Sequence, residues 1–179
     1  MIKIKVEKAE EGLGVTLNKQ IKSIGVDTAS RAGICTSWVD KGILHLDTEF
    51  VHVDSSDLYF KYNQLLKTFR SLFSKCAKDP VKYKLVIEDT FLKFNVKVLK
   101  MLTRLGMIVY ICGHDAGIED IKIITPKASR ALIGLDGKLK KEAVHKELSK
   151  KLGIEITDGD IGDSIVLSLC GLVEPERSL

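Results

Sequence analysis

Residues 22–53 of this 179-residue chain have the sequence KSIGVDTASRAGICTSWVDKGILHLDTEFVHV. It contains three apolar runs with β-branched residues, at 22–27, 33–39 and 43–53. Residues 40–42, Asp-Lys-Gly, join the second run to the third and are typical of a turn between extended segments. The stretch therefore predicts three antiparallel strands, the first of which ends in an aspartate.

Helices and further strands are predicted after this meander. From Leu58 to Cys76 the apolar positions recur every three or four residues, which is the pattern of an amphipathic helix. The remaining elements follow in chain order: a strand at 83–87, a helix at 94–105 closed by Gly106, a buried strand at 107–112, and helices at 138–151 and 160–172. This alternation predicts an α/β fold with a mixed five-stranded sheet, three antiparallel strands then parallel strands, and helices on both faces.

Length and composition predict one main domain. The chain is 45% hydrophobic and 29% charged with three prolines, and chains of this size usually form a single core. The apolar residues of 2–6 alternate as in a strand, but residues 10–14, Glu-Glu-Gly-Leu-Gly, look like a loop. We therefore expect an N-terminal arm or extra strand at 1–20, the main domain at 21–174 and a tail at 175–179.

Several classes of protein are disfavoured. The four cysteines lie far apart without a C-x-x-C pair, which argues against a zinc ribbon or a thioredoxin-type redox site. No apolar stretch behind a basic head marks a secretory signal, and no apolar run approaches the ~20 residues of a membrane span. We therefore expect a soluble, intracellular protein with reduced thiols.

Charge is distributed unevenly along the chain. The net charge is only +4, but residues 122–151 carry nine Lys or Arg against three acids. Residues 152–163 carry four acids and no Lys or Arg. A basic patch therefore borders an acidic cluster. The ordinary alternative is a solvated helix face followed by a charged loop.

Four acids are predicted to meet at one edge of the sheet. Asp27 ends the first strand, Glu88 follows the strand at 83–87, and the last helix begins with Asp160 and Asp163. In open α/β sheets, sites form at the carboxyl ends of the strands. Two helix residues three positions apart lie about 5 to 6 Å from each other on one face. The geometry therefore permits a carboxylate pocket.

Such a pocket needs a cation, because close carboxylates repel one another and raise each other's pKa. Mg²⁺ and Mn²⁺ prefer oxygen ligands and retain waters and phosphate oxygens, so an all-carboxylate site points to metal-assisted phosphoryl chemistry. Two ions about 3.5 to 4 Å apart would activate a water and stabilise the departing oxygen. The alternative is structural: Asp27 caps a turn, while Asp160 and Asp163 supply an N-cap and first-turn charge to their helix.

The residues around these acids resemble a known nuclease family. The matching motifs are IGVD at 24–27 with Ser30 and Arg31, VIE at 86–88 followed by Phe91 and Asn95, and DIGD at 160–163. They are similar to motifs of the RuvC-type Holliday junction resolvases, in particular the phage-encoded branch found in phages of lactic acid bacteria. The resemblance runs from about residue 22 to residue 172. It implies a ribonuclease H-like fold, a homodimer, and a nuclease domain at 21–174 that acts in the cytoplasm of a bacterial host cell.

The resemblance also implies an activity and a site. Members of the family cut four-way DNA junctions with Mg²⁺ or Mn²⁺ held by carboxylates that correspond to Asp27, Glu88, Asp160 and Asp163. Phe91 corresponds to an aromatic that stacks on bases near the crossover, a contact worth ~1 to 3 kcal/mol per base; the alternative is a core phenylalanine. Either Lys140 or Lys141 is expected to stabilise the developing charge. The expected DNA-binding residues are Phe91, Asn95, Lys127, Arg130, Lys138, Lys140 and Lys141.

Two other functions stay open at this point. Actin-like and sugar-kinase ATPases have a similar first hairpin, but they use two such domains and this length supplies one. A non-catalytic module that binds branched DNA would keep the fold, although acids beside DNA weaken binding unless a metal is present. His114, at the end of the predicted strand 107–112, has no assigned role. We therefore expect a metal-dependent endonuclease that resolves Holliday junctions and other branched DNA in recombination or phage DNA processing.

Overall fold

A computed structural model describes the protein over residues 1–28, 31–90 and 96–174. The strands are β1 (Ile2–Lys5), β2 (Ile21–Asp27), β3 (Arg31–Asp40), β4 (Ile43–His52), β5 (Lys82–Glu88) and β6 (Asp120–Ile124). The helices are α1 (Val6–Leu13), α2 (Leu58–Phe73), α3 (Val96–Asp115), α4 (Pro126–Leu132), α5 (Lys141–Leu152) and α6 (Gly159–Leu172). All six strands belong to one sheet in the order β1-β4-β3-β2-β5-β6.

The sheet is mixed, as the sequence predicts. β2, β3 and β4 pair antiparallel, and β1 adds antiparallel to the outer edge of β4. On the other side, β5 and β6 extend the sheet in parallel with β2. The sheet has six strands rather than five, since residues 2–5 form an edge strand. Val26 lies beside Ile87, so the carboxyl ends of β2 and β5 meet at one edge.

The predicted strand at 107–112 is wrong. These residues belong to α3, and the last strand of the sheet is β6. A short apolar run such as MIVYIC fits a buried strand or a buried helix equally well. The pattern of buried side chains is that of a helix, because Leu105, Val109 and Cys112 recur at helical spacing and pack into the core under α3.

Gly106 does not end α3, which continues to Asp115. The turn that leaves the helix is made at Gly117, whose φ of 80° is the left-handed conformation that glycine adopts readily. His114 therefore lies in the last turn of a helix and not at the end of a strand.

Residues 1–20 pack into the sheet and its core. The prediction of a loop at 10–14 is wrong for residues 10–13, which belong to α1. Gly14 caps the end of this helix, with a left-handed φ of 71°. Ala9, Leu13 and Leu17 are buried among the apolar residues of α5 and α6.

Helices cover both faces of the sheet, as predicted. Apolar residues of α2 and α3 pack on one face, and those of α1, α5 and α6 pack on the other. Gly25 lets α6 approach β2, because a Cβ there would overlap with the backbone of Ser164. Gly33 likewise faces the backbone of Asp160. Since Gly33 pairs with Asp27, the first turn of α6 lies beside the carboxyl end of β2.

The other helices differ from the prediction mainly in their bounds. α2 ends at Phe73 and is followed by a short 3-10 turn, Cys76–Lys78. α5 begins at Lys141 rather than at residue 138, and α6 begins one residue earlier than predicted. α4 has no counterpart in the sequence prediction. Within the described residues, no helix is long and apolar enough to cross a membrane.

Candidate active site

The four predicted acids lie at one edge of the sheet. Asp27 is the last residue of β2, and Glu88 is the last residue of the neighbouring parallel strand β5. Asp160 and Asp163 lie in the first turns of α6. Burial is the main cause that raises the pKa of Asp27, and the charges of Glu88, Asp163 and Asp160 raise it further. The four side chains therefore share one electrostatic environment.

A single ammonium group links three of these acids. The Nζ atom of Lys141 lies 2.6 Å from Oδ2 of Asp163, 3.3 Å from Oδ1 of Asp160 and 3.8 Å from Oδ2 of Asp27. Partial burial opposes the charge of Lys141, but the hydrogen bond to Asp163 and the neighbouring carboxylates outweigh it and raise the pKa of Lys141. The lysine therefore stays protonated and offsets part of the negative charge.

Asp27 is a buried carboxyl group whose surroundings disfavour its charge. Only 6% of the residue is exposed. Burial, followed by repulsion from Glu88 and Asp163, raises the pKa of Asp27 to about 8, although Lys141 opposes the shift. A buried acid of this kind takes up a proton or a further cation near neutral pH.

The pKa of Asp163 is shifted in the opposite direction from that of Asp27, because two side chains of α5 donate hydrogen bonds to it. Burial alone would raise its pKa, but hydrogen bonds from His145 and Lys141 outweigh burial and lower the pKa of Asp163. The Nε2 atom of His145 lies 3.0 Å from Oδ1 of Asp163. His145 is a site residue that the sequence analysis missed, since its partner Asp163 lies 18 positions away in sequence on another helix.

Arg31 fixes the beginning of α6. Its guanidinium contacts Asp158, lies 3.5 Å from Asp160 and stacks 3.9 Å above the ring of Phe50. The side chain of Asp158 accepts hydrogen bonds from the backbone N–H groups of Asp160 and Ile161. Asp158 is therefore the N-cap of α6, so the structural alternative is wrong about the cap. It is confirmed in its other part, since Asp160 supplies negative charge to the first turn of α6.

Lys141, one of the predicted basic residues, contacts three of the acids. Lys140 is the exposed N-cap residue of α5, directly before Lys141. Arg130 donates a hydrogen bond of 2.9 Å to the carbonyl of Leu139 and so supports the loop that leads into α5. Lys127 on α4 and Lys138 in that loop are exposed. Phe91 and Asn95 lie outside the described residues.

The site fits a hard divalent cation by its chemistry. Its ligands would all be carboxylate oxygens, which Mg²⁺ and Mn²⁺ prefer, and buried Asp27 lacks full charge compensation. In the described part of the chain, however, no three His, Cys, Asp or Glu side chains are already spaced to hold a metal ion. The ammonium of Lys141 lies among the carboxylates instead.

Comparisons with known proteins identify the fold. No protein-family model matches the sequence, and no curated protein matches it either. A structure of Thermus thermophilus RuvC matches with a TM-score of 0.66 at 16% identity, covering 84% of this chain and 92% of that one. The chain has a RuvC-like, ribonuclease H-like fold.

Two further structures share this RuvC-like fold. Thermus thermophilus RuvC in complex with a Holliday junction substrate matches with a TM-score of 0.67 at 15% identity, over 84% of this chain and 92% of that chain. The yeast mitochondrial Holliday junction resolvase Ydc2 matches with a TM-score of 0.57 at 10% identity, over 92% of this chain and 82% of that chain.

Proposed function

We propose that this protein is a metal-dependent endonuclease that resolves Holliday junctions and other branched DNA by phosphodiester hydrolysis. The observation that carries the proposal is the meeting of Asp27, Glu88, Asp160 and Asp163 at the carboxyl edge of a RuvC-like sheet. Two of the solved structures with this fold are a RuvC in complex with a Holliday junction substrate and a yeast mitochondrial Holliday junction resolvase. Recombination or phage DNA processing would supply such substrates.

The four acids are the proposed metal ligands, for two Mg²⁺ or Mn²⁺ ions per site. When bound, these ions supply an activated water and neutralise charge at the scissile phosphate. Lys141 is already held among the acids and adds a fixed positive charge where charge develops on the phosphate. Lys140, the exposed residue before it, would contact the adjoining phosphate.

DNA binding is proposed for the basic residues that follow the sheet. Exposed lysines would neutralise backbone phosphates, so affinity would fall steeply with salt. Phe91 and Asn95 directly follow β5 in sequence and would contact bases near the crossover. The proposed DNA-binding residues are Phe91, Asn95, Lys127, Arg130, Lys138, Lys140 and Lys141.

We also propose a homodimer, because two symmetric cuts in a four-way junction need two sites related by a two-fold axis. The helix predicted at 94–105 is the proposed interface, and its described part presents exposed Val96 and Val98. Residues 21–174 form the proposed nuclease domain. The phage lineage and the bacterial cytoplasm stay predictions from the sequence.

The test is a cleavage assay on labelled junction, fork and linear duplex with Mg²⁺, Mn²⁺ or EDTA. The expected result is metal-dependent nicking of branched DNA that Asp27→Asn abolishes while junction binding is retained. A matched control is Asp40→Asn, since Asp40 ends β3 seven residues beyond Gly33, the partner of Asp27. That is about 23 Å along the strand, at ~3.3 Å per residue.

Equal nicking of all three DNAs, or no nicking in any condition, contradicts the proposal. If the wild type never cleaves, and Asp27→Asn binds junctions as tightly as the wild type or more tightly, the protein is a non-catalytic DNA-binding module instead.

A further inference from the structure

Two residues one helical turn apart on α5 hold both oxygens of one carboxylate. Lys141 Nζ lies 2.6 Å from Oδ2 of Asp163, and His145 Nε2 lies 3.0 Å from Oδ1. Because an ionised carboxylate can only accept hydrogen bonds, Nε2 of His145 must carry the proton. The orientation of the Asp163 side chain is therefore fixed from α5, although the residue belongs to α6.

A pair of glycines makes room for this contact. Gly159 and Gly162 lie three positions apart at the start of α6 and face α5. A Cβ at Gly162 would lie 2.5 Å from Cδ2 and 2.7 Å from Nε2 of His145, which is shorter than real contacts allow. A Cβ at Gly159 would lie 3.0 Å from Cε of Lys141. The start of α6 is thus shaped to receive these two side chains.

The contact between His145 and Asp163 is shielded from water. Only 12% of the His145 side chain and 9% of the Asp163 side chain are exposed. A hydrogen bond in such surroundings is stronger than one in water, and an unpaired partner is costly. Loss of the imidazole would therefore leave the carboxylate held by Lys141 alone.

We infer that His145 is a positioning residue, which sets the orientation of the Asp163 carboxylate in the proposed site. It acts through Asp163 and has no contact with DNA in this role. The inference rests on the proposed function, because it assigns Asp163 to the chemistry. When a group that orients a metal ligand without binding the metal itself is removed, metal affinity or activity typically falls 10- to 100-fold.

The test compares His145→Gln with His145→Leu. Glutamine carries its Nε2 donor the same number of bonds from Cα as histidine does, whereas leucine fills similar space without a donor. Ser149→Ala is the matched control, because Ser149 lies one turn further along α5 and partly exposed. Single-turnover cleavage of a junction, the Mg²⁺ concentration for half-maximal rate and junction affinity in EDTA are measured for each.

The expected result is a cleavage rate about 100-fold lower for His145→Leu, a higher Mg²⁺ requirement and unchanged junction affinity. His145→Gln should recover to within about tenfold of the wild type, and Ser149→Ala should match it. Equal rates for His145→Leu and the wild type, or no recovery by His145→Gln when both variants fold, would overturn the inference.

A second measurement needs neither metal nor DNA. In the ¹⁵N-labelled protein, the ring of His145 should carry its proton on Nε2 with slowed exchange, and Asp163→Ala should remove this protection. A proton on Nδ1 alone overturns the inference, even if the enzyme is active. A wild type that cleaves no branched DNA defeats the proposed function and the positioning role together, whereas an active wild type with an equally active His145→Leu defeats the positioning role alone.

Discussion

Among single residues, Asp27 carries a charge that the fold disfavours. Asp27 is buried beside Glu88 and Asp163, and its raised pKa records how unfavourable its charge is there. A structural aspartate would gain from its surroundings, as Asp158 does by capping α6. A proton or a bound cation would relieve the repulsion, and carboxyl groups with strongly shifted pKa values are concentrated at active sites.

Replacing Asp27 should therefore stabilise the protein in the absence of metal. In EDTA at neutral pH, we expect Asp27→Asn to raise the melting temperature by several degrees, at about 2 to 4 °C per kcal/mol for a chain of this size. The amide keeps the shape and, unlike a carboxyl group whose pKa rises to about 8 on folding, does not have to take up a proton at neutral pH. Differential scanning calorimetry with and without Mg²⁺ measures the effect, and a lower melting temperature for the variant in EDTA would show that Asp27 is a structural residue.

Asp79, far from the site in sequence, shows the opposite behaviour. It accepts hydrogen bonds from Lys22 at 2.5 Å, from the backbone of Val81 at 3.0 Å and from the hydroxyl of Tyr83 at 2.8 Å. The Lys22 bond first, then those from Val81 and Tyr83, lower the pKa of Asp79 from 3.8 to about 2.

A lowered pKa means that the folded state prefers the ionised carboxylate, so its stabilisation is present above pH 3.8 and is lost as the pH falls towards about 2. We expect Asp79→Asn to melt at a lower temperature than the wild type at pH 7, and the difference to close below pH 3. Thermal melts across this range measure it. A difference that persists undiminished at pH 2 would mean that shape, and not charge, is what Asp79 supplies.

At the scale of elements, the same substitution should have opposite effects in two helices. A glycine inside a helix costs about 0.5 to 1 kcal/mol relative to alanine. Gly106 in α3 has open space where a Cβ would be placed, whereas Gly162 in α6 has the ring of His145 there.

We expect Gly106→Ala to stabilise the protein by about 0.5 to 1 kcal/mol. Gly162→Ala should instead lower both stability and junction cleavage, because the added methyl group pushes α5 and its side chains away from α6. Denaturant unfolding and the cleavage assay measure the pair. Gains in stability from both variants would show that α5 can shift without cost, and would argue against the fitted contact between the two helices.

Element prediction succeeded where local pattern and tertiary burial agree. β2, β3, β4 and β5 follow from apolar runs and a turn, and α2 and α6 follow from helical spacing. It failed at 107–112, because a β-branched run carries no information about which neighbours bury it. The acids at strand ends could be predicted because topology brings strand ends together. His145 could not be, since only the packing of α5 on α6 places it at Asp163.

At the scale of the whole molecule, the proposed homodimer can be tested at its predicted interface. Val98 lies on the described part of the segment 94–105 and is 44% exposed, and Leu132 on α4 is 48% exposed. We expect Val98→Asp to weaken the dimer and to convert paired cuts across a junction into single nicks, because a charge in an apolar interface is costly. Leu132→Asp is the control. Analytical sedimentation measures the dimer, and the nicking pattern shows whether cuts are paired. If Val98→Asp leaves the dimer unaffected, the interface lies elsewhere.

The attachment of α1 to α5 matters for anyone who wishes to shorten this protein. Lys151 near the end of α5 donates a 2.8 Å hydrogen bond to the carbonyl of Gly12, and Gly12 lies against the backbone of Lys151. A version trimmed to begin at residue 21 would lose α1, and with it the contact that supports α5, the helix that carries Lys141 and His145. Shortening the chain to residues 21–174 would thus loosen the helix that supplies side chains to the candidate site.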